Sequence, residues 1–117
     1  MVLSRKERSK INKANRAKGY RVEYDSVIYL REKLRCWARR LPSRAQKGEM
    51  SCIDGYYWDP FRRVFGFFQS KYRYDLLAPP ERSMIITICD RYRCEGIYFW
   101  RDNGIKMEII YQPTLDL

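Results

Sequence analysis

The sequence predicts a single α/β domain in which a central, mixed and twisted β-sheet is flanked by helices. Three observations predict this fold class. A chain of 117 residues has room for one hydrophobic core and no second independent one. Segments with a helical apolar period alternate with short apolar runs, in the order α-β-β-β-α-β-β. Asn103-Gly104 stands between two apolar runs and is a strong signal for a β-hairpin.

The first helix is predicted to begin at Tyr20. Val27, Leu30 and Leu34 follow one another at helical spacing, and Glu23 lies on the same line one turn earlier. A carboxylate on a packing face is unusual in a helix. The simpler interpretation is a glutamate near a helix start, where the helix dipole favours negative charge.

Three strands are predicted after this helix. The first covers 36–41 and is stopped by Pro42, and the second covers 52–58 before a turn at Asp59-Pro60. The third, 64–71, is strongly apolar and is therefore expected at the centre of the sheet. The polar segment 43–50 between the first two strands contains Gly48 and predicts a loop.

The second half of the chain predicts one helix and a hairpin. Pro79-Pro80-Glu81 is typical of a helix start. The final strands are expected around Asn103-Gly104, at 97–100 and 105–111. The packing face of the helix is predicted to carry Met84, Ile85, Ile88 and Tyr92, as core or as a contact between subunits.

The positive charge is concentrated in the first half of the chain. The formal net charge is +10, and residues 1–48 carry +11 whereas 49–117 carry −1. We interpret 1–19 as a basic arm and 20–117 as the folded domain; the alternative is a solvated tail. Such a gradient favours a polyanionic partner, nucleic acid before an anionic membrane surface. The arm's basic residues are Arg5, Lys6, Arg8, Lys10, Lys13, Arg16 and Lys18.

Composition excludes several classes of chemistry. The chain has no histidine, which removes Ser-His-Asp and Cys-His catalysis and the two-histidine zinc hydrolases. Its four cysteines form no C-x-x-C pair, so buried or reduced thiols in an intracellular, cytoplasmic protein are favoured over a zinc site. The longest near-apolar run, 84–89, is far shorter than the roughly 20 residues of a membrane span. No secretory signal is apparent.

The candidate chemistry rests on Asp54 and on the strand that ends Gln69-Ser70-Lys71. Gln69 and Lys71 share a face because strand residues two apart point the same way. A hard divalent cation prefers oxygen ligands, here the Asp54 carboxylate, the Gln69 side-chain oxygen and the Ser70 carbonyl. A neighbouring lysine can activate water and stabilise developing charge. Together these groups meet the needs of metal-assisted phosphodiester hydrolysis.

The order of these features over residues 16–111 resembles the PD-(D/E)xK nuclease superfamily, and most closely its archaeal-type Holliday junction resolvases. Glu23 matches the catalytic glutamate of the family's first helix, and Asp54 matches its metal-binding aspartate. Gln69-Ser70-Lys71 matches the (Glu/Gln)-x-Lys strand, and Arg39 and Ser43 match its Arg-x-x-x-Ser pattern. The resemblance implies a restriction-endonuclease-like fold and a homodimer that resolves four-way junctions with Mg²⁺, or Mn²⁺ in its place, in DNA recombination and repair.

The resemblance also assigns roles. Asp54 and Gln69 would hold the metal with Glu23, Lys71 would act on the water, and Arg39 with Ser43 would position the scissile phosphate. Two departures stand out: the stretch from Ser43 to Asp54 is longer than usual, and Gln69 replaces a glutamate, which should weaken metal binding. The predicted DNA contacts are Arg21, Arg39, Arg40, Arg44, Lys47, Tyr72 and Arg73.

Simpler interpretations remain for each residue. Asp54 before Gly55 can be a turn aspartate, Lys71 can be a charge at a strand edge, and Tyr72 can be a tyrosine at the border of the core. Other functions also stay open: a related nuclease acting on flapped, nicked or linear DNA, or an inactive nucleic-acid-binding module. A peripheral membrane protein is disfavoured because no basic amphipathic helix carries Trp or Phe on its apolar face.

Overall fold

The computed structural model describes residues 4–113, apart from the side chains of residues 11, 12 and 14–17. The described chain forms a single α/β domain with the predicted element order. Two helices and five strands make up the regular structure, and short 3₁₀ turns occupy Ser43–Ala45, Gly48–Cys52 and Tyr74–Leu76. The helices are α1 (Arg5–Glu32) and α2 (Pro79–Tyr92), and the strands are β1 (Trp37–Arg40), β2 (Gly55–Asp59), β3 (Val64–Ser70), β4 (Glu95–Arg101) and β5 (Ile105–Tyr111).

Helix α1 begins at Arg5, so the prediction of a start at Tyr20 was wrong by four turns. Ser4 and Glu7 cap the helix reciprocally: the backbone N–H of Glu7 donates to Ser4 Oγ, and the N–H of Ser4 donates to Glu7 Oε2, both over 3.2 Å. Residues 5–19 of the predicted arm are therefore helical. Residues 1–3 of that arm and the side chain of Arg16 lie outside the described residues.

The sheet is mixed and its strands follow chain order, β1-β2-β3-β4-β5. Neighbouring strands are antiparallel except β3 and β4, which are parallel and are connected through α2. The prediction that the third strand is central is confirmed. The β4–β5 hairpin is also confirmed, with Asn103 and Gly104 both at positive φ in its loop.

A helix packs on each face of the sheet. Val27 and Leu30 of α1 are buried against Ala38, Tyr57 and other residues of one face. On the opposite face, Ile85, Ile88 and Cys89 of α2 pack with residues that include Phe67 and Tyr98. All four cysteines (Cys36, Cys52, Cys89 and Cys94) are buried free thiols, as the sequence indicated.

Two predicted packing faces are shifted around their helices. On α1 the buried residues are Val22, Ser26, Val27 and Leu30, so Glu23 lies at the border of the stripe, not within it. On α2, Ile85 and Ile88 are buried as predicted. Met84 and Tyr92, which the sequence placed on that face, are 40% and 53% exposed, and Cys89 is buried in their place.

The connections between strands also differ in detail from the predictions. The segment 43–50 contains 3₁₀ turns at Ser43–Ala45 and Gly48–Cys52 instead of a plain loop, so β2 begins only at Gly55. Gly55 does not form a turn: it lies in β2, where a Cβ would collide with the ring of Phe68 and the carbonyl oxygen of Arg39. Among the residues that the structure describes, no helix is both long and apolar enough to cross a membrane.

Candidate functional site

Strand topology brings Asp54 to Gln69 and Ser70. Because β2 runs antiparallel to β3, the residue before β2 lies beside the last residues of β3, at the same end of the sheet. The backbone N–H of Asp54 donates to the carbonyl oxygen of Phe68 over 2.9 Å, which extends the ladder by one residue beyond Gly55. The two segments that the sequence singled out are therefore adjacent in space.

One cavity collects the four candidate catalytic side chains. It has a volume of about 380 Å³ and lies between α1, the β2–β3 edge and the segment after β3. Glu23 reaches the cavity from α1, and Asp54 is the residue directly before β2. Gln69 comes from the end of β3, and Lys71 follows that strand directly. The rest of the lining consists of Gly19, Ser70, Tyr72 and Leu76.

Asp54 is buried at the floor of this cavity and held by hydrogen bonds. The backbone N–H of Ser70 donates to Asp54 Oδ2 over 2.8 Å, and the Gln46 side-chain amide donates to Asp54 Oδ1 over 3.2 Å. Burial, and secondarily the negative charge of Glu23, raises the pKa of Asp54 to about 7. The hydrogen bonds from Ser70 and Gln46 and the positive charge of Lys71 act in the opposite direction. The carboxyl can therefore change protonation state near neutral pH.

Gln69 is bound to Asp54 through its amide nitrogen. The hydrogen-bonding groups around it are satisfied when the nitrogen donates to Asp54 Oδ2 over 2.8 Å and to the carbonyl oxygen of Cys52 over 2.7 Å. The opposite orientation would place the amide oxygen against these acceptors. In the satisfied orientation, Gln69 donates a hydrogen bond to Asp54. Its side-chain amide would have to rotate before the oxygen could face a cation at the Asp54 carboxylate.

Glu23 forms an ion pair with Arg40 across the α1–β1 contact. Arg40 Nε donates to Glu23 Oε2 over 2.9 Å, and its guanidinium lies 4.8 Å from the ring centroid of Tyr20. These residues line a second cavity of about 320 Å³ together with Ser43. Glu23 borders both cavities, so Ser43 is next to the candidate metal edge without lining the cavity that contains Asp54.

Lys71 is held by a carboxylate that the sequence analysis did not single out for this role. Its Nζ lies 3.2 Å from Oε2 of Glu81, which is in the first turn of α2. The side chain of Lys71 is partly buried, and its backbone N–H donates to the carbonyl oxygen of Phe99 over 3.0 Å. The lysine is thus fixed at both ends beside the cavity.

The predicted DNA contacts are all exposed, but they do not form one patch. Arg39 and Arg40 alternate along β1, and since Arg40 meets α1, Arg39 faces the other side of the sheet. Tyr72 lines the main cavity, with Lys18 and Arg73 5.8 and 5.6 Å from its ring centroid. Exposed positions are also occupied by Arg21, Arg44 and Lys47.

Two carboxylates line the cavity that the sequence predicted as a magnesium site. Mg²⁺ in proteins is commonly held by one or two carboxylates, with water and substrate phosphate completing its shell. Asp54 and Glu23 supply two carboxylates at the cavity, and Ser70 lines it, whereas Gln69 presents its amide nitrogen to Asp54. Within residues 4–113, no group of three or more Asp, Glu, Cys or His side chains is arranged to hold a metal ion. The part of the chain that the structure describes thus shows no preformed metal site, and a cation would find at most two carboxylates at this cavity.

Three further residues support the site, and the sequence did not predict a role in the site for any of them. Gln46 braces Asp54, and Glu81 binds Lys71. Ser26, fully buried on α1, shares a 2.9 Å hydrogen bond with the hydroxyl of Ser70 and so ties α1 to the end of β3. The only signal in the sequence for any of them was the position of Glu81 just after Pro79-Pro80, which is typical of a first helical turn.

The chain was compared with protein-family models, with curated proteins and with solved structures, and none of the three comparisons gave a match.

Proposed function

We propose that the protein is a Mg²⁺-dependent endodeoxyribonuclease that cuts branched DNA, with four-way junctions as its main substrate. The observation that carries the proposal is the single cavity shared by Glu23, Asp54, Gln69 and Lys71. Glu23, Asp54 and the segment Gln69-Ser70-Lys71 are far apart in the sequence, and the sequence alone predicts a role for each of them. A shared cavity is what a joint catalytic role requires.

Asp54 and Glu23 would hold the cation, and Gln69 would add its amide oxygen after rotation. A divalent cation bound there supplies positive charge to the scissile phosphate and lowers the pKa of the attacking water. Lys71, oriented by Glu81, would donate hydrogen bonds to the water or to the phosphoryl oxygens as negative charge develops. Arg40, which lines the second cavity and is paired with Glu23, would contact the phosphate on the far side of Glu23.

The preference for branched DNA and the homodimer rest on the family resemblance. One supporting feature is present in the structure. The exposed basic residues of the first turns of α1 supply sequence-independent attraction to phosphates. Paired symmetric cuts need two sites, which a C₂ dimer provides. A DNA substrate would place the activity inside the cell.

A second candidate function is an inactive nucleic-acid-binding module. The observation that favours it is the amide of Gln69, which donates to Asp54 and adds no negative charge for a metal ion. The raised pKa of Asp54, caused mainly by burial, points the same way because a protonated carboxyl is a poor ligand. Cleavage distinguishes the two functions.

The deciding experiment incubates the full chain with an end-labelled four-way junction, a flap and a linear duplex, in Mg²⁺, Mn²⁺ or EDTA. Symmetric, metal-dependent nicks confined to the junction support the proposal. Equal cutting of linear duplex indicates a less selective nuclease, and shifted but intact DNA indicates the binding module.

Substitutions connect the activity to the cavity. Asp54→Ala and Lys71→Ala should each abolish cutting and leave junction binding largely intact. Asp102→Ala and Lys106→Ala, on the exposed β4–β5 hairpin, are matched controls that remove the same charges elsewhere and should cut as the parent does. Retained cleavage by either cavity variant would move the catalytic site elsewhere.

A further inference from the structure

The face of the sheet that carries α2 is only partly covered, and its open part is aromatic. Trp37, Trp58 and Phe65 are directly opposite one another on β1, β2 and β3. They are 49%, 40% and 39% exposed. Residues opposite one another on neighbouring strands share a face. The three rings therefore form one exposed row across three strands.

A second row lies beside the first, because strand residues two apart point to the same face. It consists of Arg39, Tyr56 and Phe67 on the same three strands. Phe67 is 8% exposed and packs with the α2 core, and its ring centroid is 6.2 Å from that of Tyr92, the last residue of α2. Helix α2 thus ends beside the second row and leaves the first row open. We call these six residues the aromatic grid.

Four of the five rings of the grid are in contact with one another. The ring centroid of Tyr56 lies 5.7 Å from that of Trp37 and 6.3 Å from that of Phe65, and Phe65 and Phe67 are 5.4 Å apart. Such mutual contacts limit the rotamer freedom of exposed side chains. The surface is therefore ordered before any partner arrives.

We propose that the aromatic grid binds single-stranded nucleic acid by stacking bases on Trp37, Trp58 and Phe65. Exposed aromatic side chains on an open sheet offer π-faces to successive bases whatever the base identity. The guanidinium of Arg39 lies 5.3 Å from the ring centroid of Trp37, so a positive charge adjoins the stacking surface. Stacked bases and a nearby cation are the combination that single-strand binding requires.

Charge and size favour this occupant over a second copy of the chain. The grid contains one arginine and no acidic residue, so it offers a polyanion a positive charge and no repulsion. Two rows across three strands cover on the order of 200 Å², whereas a stable protein interface needs about 800 Å² from each partner. A polyanion with exposed bases satisfies both conditions.

The inference does not depend on the nuclease proposal. The grid faces away from α1, whereas Glu23, Arg40 and Tyr20 lie on the α1 side. Binding can be measured in EDTA, where no metal-dependent cutting occurs. Loss of cleavage and loss of single-strand binding are thus separate results.

The test measures binding of the full chain to fluorescein-labelled oligothymidylate by anisotropy, together with quenching of intrinsic tryptophan fluorescence. Trp37→Ala and Phe65→Ala should each weaken binding by about tenfold, and Trp37→Phe should retain most of the affinity because the ring is kept. The matched control is Tyr24→Ala, which removes an exposed ring, 59% accessible, from α1 and should leave the affinity unchanged.

Four results would overturn the inference. Equal affinity of Trp37→Ala and the parent would place the single strand elsewhere, as would the absence of quenching on binding. An equal loss in Tyr24→Ala would show that any exposed ring suffices. A parent dimer, seen by light scattering, that becomes monomeric in Trp37→Ala would identify the grid as an interface between copies.

Discussion

The ammonium group of Lys71 lies 3.2 Å from the carboxylate of Glu81, so the first turn of α2 fixes the lysine that follows β3. The two side chains are about a third exposed, 28% and 34%, and the ion pair alone adds little to stability. Its consequence is positional: Lys71 is aimed beside the cavity that contains Asp54 and Gln69. Glu81 is thereby a candidate positioning residue.

Glu81→Gln should lower the rate of junction cutting by about ten- to a hundredfold, because a displacement of the lysine by about 1 Å is enough for such a loss. We expect the loss in kcat, with KM nearly unchanged, and partial rescue by Glu81→Asp. Steady-state kinetics on a labelled junction measure both values.

The matched control is Glu108→Gln, which breaks the partly exposed ion pair with Arg82 on α2 and should cut at the parent rate. A purely structural role for Glu81 would lower the melting temperature and leave kcat of the folded protein unchanged. That outcome would remove Glu81 from the catalytic arrangement.

Gln69→Glu tests whether this position is a metal ligand. A carboxylate here would join Asp54 and Glu23 around one cavity, so like charges should destabilise the metal-free protein and Mg²⁺ should restore its stability. We expect half-maximal cutting at a Mg²⁺ concentration about tenfold lower than for the parent. Thermal unfolding with and without Mg²⁺ provides a second readout.

Gln46→Glu is the control for Gln69→Glu, since Gln46 also donates to Asp54. Like Gln69→Glu, this substitution adds a negative charge close to Asp54, but residue 46 lines the second cavity. If both variants shift the Mg²⁺ requirement equally, the effect is local charge and Gln69 is not a ligand. An unchanged requirement in Gln69→Glu leads to the same conclusion.

Much of the fold follows from local sequence signals. The last strand was predicted with its observed bounds, Ile105–Tyr111, because Asn103-Gly104 fixes the hairpin. The start of α1 was missed because residues 5–19 have no apolar period, the signal on which the prediction relied. Ser4 and Glu7 form an S-x-x-E capping box that was present in the sequence and would have located the start.

The candidate site was only partly predictable. Asp54 and Gln69 meet because of strand pairing, which the hydrophobic pattern indicates. The contacts of Gln46 and Glu81 depend on the path of a 3₁₀ segment and on the docking of α2, and neither follows from a local pattern. Strand alternation places Arg39 and Arg40 on opposite faces of the sheet, whereas the prediction had both of them contact phosphates beside the metal edge.

The pKa of Asp54 predicts a pH-dependent stability. Burial raises the pKa to about 7 from an ordinary value of 3.8, so the folded state binds a proton more tightly than the unfolded state between these values. Stability should therefore fall as the pH rises from about 4 to about 7. Asp54→Asn removes this penalty and should raise the free energy of unfolding at pH 8, by on the order of a few kcal/mol, with little change at pH 4.

Urea unfolding of Asp54→Asn and the parent over this pH range checks the sign. The control is Asp59→Asn. Burial alone would raise the pKa of Asp59, but hydrogen bonds from Arg62 and from backbone N–H groups hold it below its usual value. Its stabilisation is present above the ordinary pKa and lost in acid, so Asp59→Asn should destabilise most at neutral pH. Equal behaviour of the two variants would contradict the raised pKa of Asp54.

Glu95 anchors the opposite end of the sheet from the candidate site. It is 1% exposed, accepts a 2.5 Å hydrogen bond from the hydroxyl of Tyr57, and binds two nitrogens of Arg62 at 3.0 Å. Gly66 makes this possible, since a Cβ there would collide with the ring of Tyr57. Burial alone would raise the pKa of Glu95, but the hydrogen bonds from Arg62 and Tyr57 keep it lowered.

Glu95→Gln should destabilise the protein by about 2 kcal/mol at pH 7, less than the ~3–5 kcal/mol of a fully buried pair because Arg62 is 43% exposed. A lowered pKa stabilises the fold above the ordinary value of 4.5, and this contribution disappears as the pH falls through the lowered pKa. The difference in the free energy of unfolding between variant and parent should therefore become smaller in acid, as measured by urea unfolding. Glu108→Gln, at a more exposed pair, should cost less than 1 kcal/mol throughout. A pH-independent loss in Glu95→Gln would mean that packing, not the charge of Glu95, holds this end of the sheet.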